Sequence, residues 1–498
     1  MSSPAPTIGS AVRAVLRHAL DTYRDDEVAV SRLRQQLDRM DEPLRVAIAG
    51  KVKAGKSTLL NALVGEEIAP TDASECTKVI TWYRDGVSPR ITLTPVEGAA
   101  RQLPVRRQDG RLLLDLGDTP PDQVERVVID WPSRSLRANT LIDTPGIASL
   151  TTENSARTTV FLTPDDEPSA ADAIIYLMRH IHGSDIRFLE SFRDQEVGRA
   201  AMVNTVAVLS RADEVGVGRM DAMRSAQRVA ERYRADPQLS VLCQTVVPVA
   251  GLLAETARTM RQVEFAALCD LAREPVESMD SLMLSADRFV RPDAPVAVPA
   301  ATRAALLERF GFFGIRIATM LVRLGVSDPA TLATDLVARS GLNELQEVLA
   351  VQFTQRQDLL KARSALLAMT SLLHERPRPD ATGLAGEVER IMSGAHEFRE
   401  LRLIAALRSP GVKLPTEART EAERLLGAHG TRPQERLGLP QEAEPRELRD
   451  AALAALRRWQ QRAESPMSDR PSAEAARVVT RSCEGMLAWL PQTQRAEL

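Results

Sequence analysis

The sequence predicts an α/β domain with a doubly wound, mostly parallel sheet, joined to an extended all-α helical bundle. Two observations predict this combination. Between residues 44 and 250, short apolar runs alternate with helical patterns, which is typical of parallel strands connected by helices. Beyond residue 250 the strand-like runs stop, and apolar residues recur with helical spacing between prolines.

The composition fits a protein of two or three domains. The chain has 498 residues, 44% of them hydrophobic, and a formal net charge of −3. This charge argues against a nucleic-acid partner, because nucleic-acid-binding proteins usually carry a basic domain. The four cysteines have no metal-ligand spacing. The N-terminus does not resemble a secretory signal, and no apolar run reaches about 18 residues. We therefore expect a cytoplasmic protein without a transmembrane segment.

The predicted strands follow a leading helical pattern that ends at Pro43. The first strand begins at Leu44, and the polar segment 95–125 is expected to be an insertion or hairpin. Seven further strands are predicted at residues 79–83, 90–94, 126–130, 140–142, 173–178, 205–209 and 245–249.

Three parts of the chain are predicted from this pattern. N-terminal helices (1–42) are expected to join the later bundle, a nucleotide domain with helical additions after residue 250 covers 43–341, and a neck and trunk cover 342–498. Leucines and Phe353 spaced by seven predict one helix from Leu342 to about residue 374, roughly 50 Å long and projecting from the nucleotide domain. The alternative is a compact all-helical domain.

A phosphate-binding loop is predicted at residues 50–57, where G-x-x-x-x-G-K-S lies between a strand and a helix. The glycines let backbone N–H groups surround a phosphate, and the following helix adds its positive end. Lys56 is expected to reach the β- and γ-phosphates and Ser57 to bind Mg²⁺. The alternative is a chance match. The predicted nucleotide-binding residues of this loop are Gly50, Val52, Lys53, Ala54, Gly55, Lys56, Ser57 and Thr58.

A second motif, D-T-P-G, follows the strand at residues 140–142. Asp143 is expected in the Mg²⁺ shell, and the N–H group of Gly146 is expected to sense the γ-phosphate. A threonine between the two motifs should complete the coordination of Mg²⁺. We assign this metal-binding and catalytic role to Thr77, with Thr71 as the competing candidate.

The base is predicted to be guanine. Ser210-Arg211-Ala212-Asp213 follows a strand and partly matches the N/T-K-x-D motif of GTPases. The carboxylate of Asp213 can accept two hydrogen bonds from guanine, whereas adenine offers no matching donors. Arg211 can stack on the base. The N–H group of Ala250, after the last predicted strand, is expected to contact the base as well.

These motifs together resemble the dynamin superfamily, and in particular the isoniazid-inducible branch of the bacterial dynamin-like proteins of mycobacteria. The matching stretches are residues 54–58, 69–73, 210–213 and 308–311. The resemblance covers nearly the whole chain. It implies a GTPase domain with Mg²⁺, a helical neck and trunk, and GTP-driven membrane remodelling in fission or membrane maintenance. It also implies a peripheral position on an anionic membrane surface, at the inner face of the plasma membrane. The expected protein partners are further copies of the chain or a related dynamin-like protein.

Lys53 departs from the pattern of eukaryotic dynamins, which usually place a serine two positions before the second loop glycine. We hypothesise that the Lys53 ammonium neutralises charge on the β–γ bridge, which adds Lys53 to Lys56 and Thr77 as catalytic candidates. The alternative is a solvent-facing or purely structural lysine. Since no glutamine follows Gly146, we expect slow intrinsic hydrolysis that contact between domains accelerates.

Two loops of the helical region are candidates for membrane contact, because cations there lie beside prolines or apolar residues. The candidate residues are Arg376, Arg378, Val412, Lys413 and Leu414. Ordinary solvated turns are the alternative. For the whole protein, the main alternative is a GTP-regulated scaffold with little turnover. A ribosome-assembly GTPase is less favoured, because the sequence has no basic RNA-binding domain.

Overall fold

The computed structural model describes residues 7–70, 79–108, 110–146, 170–191, 204–215, 218–407 and 412–490. The strands of these ranges are β1 Leu44–Gly50, β2 Thr81–Asp85, β3 Arg90–Pro95, β4 Arg101–Leu103, β5 Arg106–Gln108, β6 Arg111–Leu113, β7 Val124–Trp131, β8 Asn139–Asp143, β9 Ala173–Met178, β10 Thr205–Ser210 and β11 Val246–Val249.

The helices of the first half, up to the end of the predicted nucleotide domain, are α1 Ile8–Thr22, α2 Glu27–Arg39, α3 Lys56–Val64, α4 Arg134–Ala138, α5 Gly183–Ser191, α6 Ala222–Arg234, α7 Gly251–Arg258, α8 Gln262–Arg273, α9 Val276–Leu282, α10 Ala286–Phe289, α11 Ala300–Arg323 and α12 Pro329–Arg339. Those of the second half are α13 Leu342–Gln352, α14 Gln357–Glu375, α15 Thr382–Gly394, α16 His396–Leu407, α17 Thr416–Leu425, α18 Pro433–Leu437, α19 Pro445–Glu464 and α20 Arg470–Trp489.

Nine of the described strands form one sheet in the order β11-β10-β9-β1-β8-β2-β7-β3-β4. The half from β11 to β8 is parallel throughout, while β2 runs antiparallel to β8, and β3 is antiparallel to both β7 and β4. The fold class predicted from the sequence is confirmed: a mostly parallel sheet with helices, followed by a helical C-terminal region. The segment expected to be an insertion contains β4 and the separate β5–β6 hairpin.

Side-chain alternation along the central strand explains why both faces of the sheet are covered. In β1, Val46 and Ile48 join a core that includes residues of α3, whereas Ala47 and Ala49 join a core that includes residues of α6. A strand buried on both faces must be apolar throughout, as the sequence of β1 is. The covered sheet leaves its carboxyl edge, where β1 and β8 both end, as the place for a ligand.

The helices after residue 250 build a further core, separate from the two on the faces of the sheet. Apolar residues of α7, α8, α11 and α12 share one cluster. The longest of these helices, α11, is interrupted at Gly311, whose φ of 62° and ψ of 175° are not helical. Glycine adopts this backbone conformation without the steric cost that a side chain would add.

The single long helix predicted from Leu342 to residue 374 was wrong. Helix α13 ends at Gln352, a 3₁₀ turn covers Thr354–Arg356, and α14 starts afterwards. The side chains at the break turn to other parts of the chain: the Gln352 amide donates to the Ala428 carbonyl at 2.5 Å, and the Arg356 guanidinium donates to the carbonyl of Gly427. Helix α13 also does not project, because Leu342 and Leu345 lie in the same core as the sheet.

The remaining helices form two clusters. Helices α1 and α2 pack with α14 and α15, and the ammonium of Lys361 donates to the carbonyls of Met40 and Glu42 just before β1. Helices α16 to α20 share a cluster around Trp459. In the described ranges, no helix is both long enough and apolar enough to span a membrane.

Candidate nucleotide-binding site

The predicted phosphate loop begins where β1 meets β9. Gly50 has a φ of 151°, and a Cβ atom there would lie 2.5 Å from the carbonyl oxygen of Leu177. Gly55 has a φ of 94° and precedes α3, and no side chain of the described residues caps that helix. The first N–H groups of α3 therefore remain open toward a phosphate.

Lys56 lies folded against its own loop. Its ammonium donates to the carbonyls of Gly50 at 3.3 Å and Lys51 at 3.4 Å. Burial lowers the pKa of Lys56, and the nearby Asp143 carboxylate opposes that shift. Both contacts are long, so a phosphate can replace them by stronger charge-assisted bonds.

Ser57 and Asp143 meet at the carboxyl edge of the sheet. The Ser57 hydroxyl donates to Oδ2 of Asp143 at 2.8 Å. The other carboxylate oxygen, Oδ1, is buried and has no hydrogen-bond partner among the described residues. Burial raises the pKa of Asp143, which the Lys56 charge opposes. A hydroxyl and a carboxylate oxygen without a partner fit Mg²⁺, which prefers oxygen ligands.

Gly146 brings the second motif against the phosphate loop. A Cβ atom at this position would lie 2.5 Å from Cγ2 and 2.9 Å from Cα of Val52. Glycine thus permits contact between the two motifs. The metal-binding threonine, whether Thr77 or its competitor Thr71, lies outside the described residues, so this assignment stays a prediction.

Lys53 and Arg211 are joined at the mouth of the loop. Both have a left-handed backbone, with φ values of 61° and 53°. The Arg211 guanidinium donates to the Lys53 carbonyl at 3.2 Å and pairs with Glu214 at 2.7 Å. The side chain of Lys53 is exposed. The structure therefore gives Lys53 a backbone role in the loop, and the proposed charge-neutralising role of its ammonium stays a prediction.

Asp213 lines a cavity of about 140 Å³ beside the loop. Burial is the main cause that raises its pKa. The cavity joins the phosphate loop to the ends of β10 and β11, as expected for a base site. Its lining comprises Ala54, Gly55, Thr58, Leu59, Leu177, Val208, Ser210, Arg211, Asp213, Glu214, Val249, Gly251 and Leu252.

The contact predicted for Ala250 was wrong. Its N–H group donates to the carbonyl of Ser340 at 2.8 Å, and the residue is fully buried. The following residues, Gly251 and Leu252, line the cavity instead and begin helix α7. The sequence did not indicate this hydrogen bond, because Ala250 and Ser340 are far apart along the chain.

Some residues that fix the backbone next to the site were not predicted from the sequence. Asn61 donates to Glu255 and to the carbonyl of Ala69, and it accepts the N–H groups of Ile68 and Ala69. It thereby fixes the chain just before the segment that contains Thr71 and Thr77. Asn61 lies on the phosphate-loop helix, so a buried polar residue there was the only available signal.

Ion pairs reinforce the same segment. Glu67 pairs with Arg309 at 2.5 Å and with Arg111 at 3.0 Å, and Arg309 pairs also with Glu264 at 2.6 Å. Another missed ion pair joins the phosphate loop to α5, where Lys51 contacts Asp185 at 3.0 Å. No local pattern connects these residues, because even the nearest partners, Glu67 and Arg111, are 44 positions apart in the sequence.

The arginines of the first predicted membrane loop have partners within the chain. Arg376 pairs with Asp26 at 2.6 Å, and Arg378 pairs with Asp25 at 2.5 Å and lies over the ring of Tyr23. These contacts attach the end of α14 to the helices α1 and α2. The membrane role predicted for the two arginines stays a prediction.

The described candidate residues of the second predicted membrane loop, Val412, Lys413 and Leu414, expose mainly the cation. Lys413 is exposed, whereas Val412 is buried in the cluster of α16 to α20, and Leu414 packs against that cluster. Insertion of Val412 into a membrane would require it to leave this core. The membrane role of these three residues also stays a prediction.

Comparisons with known proteins identify the family. A sequence model of the dynamin family matches residues 46–207. The chain is 41% identical over 483 residues to the isoniazid-induced protein IniC of Mycobacterium tuberculosis, and this alignment covers 96% of the chain and 98% of IniC. The resemblance inferred from the motifs is thereby confirmed.

Other similarities are more restricted. A bacterial dynamin-like protein of Nostoc punctiforme is 28% identical over 173 residues, which cover 30% of this chain and 25% of that protein. The isoniazid-induced protein IniA of Mycobacterium tuberculosis is 36% identical over 130 residues, covering 24% of this chain and 20% of IniA. A solved structure of an oligomerised bacterial dynamin pair matches 98% of this chain and 81% of that chain with 14% identity. Its TM-score of 0.31 is too low to support an inference.

Proposed function

Because this chain belongs to the dynamin family, we propose that it binds GTP together with Mg²⁺ and hydrolyses GTP to GDP and phosphate. One observation carries the proposal: Ser57 and Asp143, from separate motifs, are joined by a 2.8 Å hydrogen bond near the partly buried ammonium of Lys56. This arrangement places a cation and two oxygen ligands at the open N-terminus of α3, as phosphoryl transfer from a nucleotide requires.

The chain's own groups bind and orient the triphosphate. The N–H groups of the loop from Gly50 to Ser57 surround the phosphates, and Lys56 exchanges its two carbonyl contacts for phosphate oxygens. Ser57 and Asp143 would hold Mg²⁺, which neutralises charge on the β- and γ-phosphates when bound. The Gly146 backbone, in contact with the loop, is placed to sense the γ-phosphate.

Guanine specificity rests on Asp213. Its carboxylate lines the cavity next to the phosphate loop, where it can accept the two N–H donors of guanine. Arg211 ties this segment to the phosphate loop, because its guanidinium donates to the Lys53 carbonyl. A nucleotide would thus connect the base-binding and phosphate-binding segments.

We extend the proposal to membranes on the strength of family membership. The chain would bind an anionic surface peripherally, self-associate or pair with a related dynamin-like protein, and remodel the membrane during GTP turnover. The inner face of the plasma membrane is the proposed location. Within this scheme, residues 43–341 are the GTPase part, 342–498 are the neck and trunk, and 1–42 are N-terminal helices that join the neck and trunk.

A GTP-regulated scaffold is the second candidate. The observation that favours it is the pairing of Arg376 and Arg378 with the N-terminal helices, which leaves the first predicted membrane loop engaged within the chain. A scaffold would bind GTP tightly and release phosphate very slowly.

Phosphate release from GTP, with and without vesicles of anionic lipid, separates the two candidates. We expect slow turnover that the vesicles accelerate, together with co-sedimentation of the protein. Vesicles of neutral lipid are the matched control. Tight binding of GTP without turnover, and no effect of vesicles, would support the scaffold instead.

A further inference from the structure

A buried carboxylate that the proposed reaction does not use lies directly behind the phosphate loop. Asp185, in the first turn of α5, is only 1% exposed. Its Oδ1 accepts the hydroxyl of Tyr176 at 2.7 Å, and its Oδ2 accepts the N–H group of His182 at 2.9 Å. These neutral donors fix the position of the carboxylate, and they leave its charge to be balanced by another residue.

That residue is Lys51, the first variable residue of the phosphate loop. Its ammonium donates to Oδ2 of Asp185 at 3.0 Å. The backbone of the same residue closes the turn of the loop, because the Lys51 carbonyl accepts the N–H group of Ala54 at 3.1 Å. It also accepts a contact from the Lys56 ammonium at 3.4 Å. Lys51 therefore joins the buried carboxylate to the loop on one side and to the principal phosphate-binding lysine on the other.

Strand β9, which pairs with β1, fixes the position of Asp185 relative to the phosphate loop. Tyr176 belongs to β9, where it pairs with Ala49 of β1, and the next residue pair is Gly50 with Leu177. The ring of Tyr176 stacks on Phe188 of α5 with 5.3 Å between centroids. Asp185 is thus held by the strand and helix that flank the loop, and its position is set independently of any nucleotide.

The positive charge of the phosphate loop gives the Lys51–Asp185 ion pair an electrostatic role. The loop carries Lys51, Lys53 and Lys56 within six residues. If all three ammonium groups faced the nucleotide position, they would repel one another in the absence of phosphate. Asp185 directs one of them away from the site and uses it to hold the turn whose N–H groups face the phosphates.

We propose that Asp185 is a positioning residue of the phosphate loop, which acts through Lys51 to fix the turn from Lys51 to Ala54. The inference rests on the proposed function, since it assumes that a guanine nucleotide occupies this loop. It adds a residue from α5 to the binding apparatus, although Asp185 itself touches no nucleotide. An effect on nucleotide affinity, separate from one on stability, is the expected signature.

The test measures affinity for a fluorescent GDP analogue and for GTPγS in the full-length protein. Asp185→Asn and Lys51→Met should each weaken both affinities about tenfold, because a hydrogen bond between charged groups is worth roughly that factor. The double variant should be no weaker than the weaker single variant, since both changes remove the same contact. Lys51→Arg keeps a cation for Asp185 and should recover most of the affinity.

Asp172→Asn is the matched control. Asp172 is also a buried, ion-paired aspartate, 2% exposed and 2.8 Å from Arg39, but it precedes β9 at the far end of the strand. Its substitution should lower the unfolding temperature and leave both affinities unchanged. This control separates loss of a buried ion pair from loss of loop geometry.

Three results would overturn the inference. The first is an affinity within twofold of the parent in both Asp185→Asn and Lys51→Met, and the second is additive losses in the double variant. The third is a parent protein that binds no guanine nucleotide, which would overturn the proposed function as well. A parent that binds GTP without hydrolysing it would contradict only the proposed function, because the affinity readout does not depend on turnover.

Discussion

At the scale of single residues, the candidate site concentrates backbone conformations that most side chains avoid. Lys53 and Arg211 are the non-glycine residues with positive φ in the described part of the chain, and a hydrogen bond connects them. Left-handed backbone costs such residues about 1–2 kcal/mol each. Strain of this kind persists where surrounding contacts impose it, which is common at ligand-binding loops.

Gly146→Ala should disturb the contact between the two phosphate motifs. The new methyl group would lie 2.9 Å from the backbone Cα of Val52, so one of the two segments must move. We expect the rate of GTP hydrolysis to fall at least about tenfold, with GDP affinity changed less, because we propose that the Gly146 N–H group senses the γ-phosphate. Phosphate release and GDP binding by fluorescence measure the two effects.

Gly386→Ala is the control for this substitution. Gly386 lies in α15, where an added methyl group meets no atom within 4 Å. Alanine favours the helix by about 1 kcal/mol over glycine, so this variant should be slightly more stable and equally active. Equal activity of the two variants would contradict the role given to Gly146.

Asp213→Asn should reduce the preference of the protein for GTP over ATP. The amide cannot accept both guanine donors, so GTP affinity should fall at least about tenfold while the weak affinity for ATP changes little.

Burial raises the pKa of Asp213, so its protonated form appears at a higher pH than for an ordinary aspartate. GTP affinity of the parent should therefore fall as the pH is lowered through that raised pKa, and the variant should lack this dependence. Competition of GTP and ATP for a fluorescent nucleotide, across pH, measures both.

At the scale of elements, the helices after the sheet hold the chain that leads into the segment with the metal-binding candidates Thr71 and Thr77. Arg309 of α11 pairs with Glu67 before that segment and with Glu264 of α8. The β5–β6 hairpin contributes Arg111 and an N–H bond from Leu112 to the carbonyl of Glu67. The insertion and the helical additions therefore converge on one short stretch of backbone.

Arg309→Met should destabilise the protein by about 3–5 kcal/mol, because it removes the cation of Glu264 and one of the two cations of the buried Glu67. The side chain of Arg309 is 11% exposed. Urea unfolding followed by circular dichroism measures the loss. Arg481→Met is the control, since Arg481 and Glu484 form an exposed pair in α20 that should contribute less than about 1 kcal/mol. Similar losses in the two variants would show that the buried network does not stabilise this region.

Glu255 should make stability depend on pH. Burial raises its pKa from 4.5 to about 7, with Glu67 adding to the shift and Arg309 and Arg111 opposing it. Below pH 4.5 the Glu255 carboxyl is protonated in both the folded and the unfolded state. Between pH 4.5 and 7 only the folded state holds the proton, so stability declines as pH rises.

Glu255→Gln removes this decline and keeps an oxygen for the Asn61 amide. Its free energy of unfolding, relative to the parent, should increase by roughly 1–3 kcal/mol between pH 5 and 7.5. Thermal unfolding of both proteins across this range provides the comparison. A difference that does not change with pH would contradict the raised pKa.

The elements also show which features local sequence can predict. Strands such as β9 were located from continuous apolar runs, and the phosphate motifs from their spacing. The helix from Leu342 was extended too far because Phe353 continues the heptad spacing, although it lies at a break that is held by bonds to Gly427 and Ala428. The Lys51–Asp185 pair and the bond between Ala250 and Ser340 depend on the tertiary structure, which no local pattern contains.

At the scale of the whole molecule, the phosphate loop is connected to the helices at the chain's beginning. The cluster of α1, α2, α14 and α15 adjoins the residues that enter β1, where the Lys361 ammonium binds two backbone carbonyls. The buried pair of Arg39 with Asp172 joins α2 to the start of β9. A change in the loop thus has a direct covalent route, through β1, to the helices that we assign to the neck and trunk.

Magnesium-dependent release of phosphate from GTP by the full-length protein is the decisive test of whether this chain is a GTPase. We expect slow multiple turnover with GTP, little with ATP, and loss of nearly all activity in Lys56→Ala, because Lys56 is the residue that should bind the β- and γ-phosphates. Removal of Mg²⁺ by a chelator should have the same effect. Turnover that persists in Lys56→Ala, or that is equally fast with ATP, would contradict the claim that Lys56, Ser57, Asp143 and Asp213 form the centre of a GTPase.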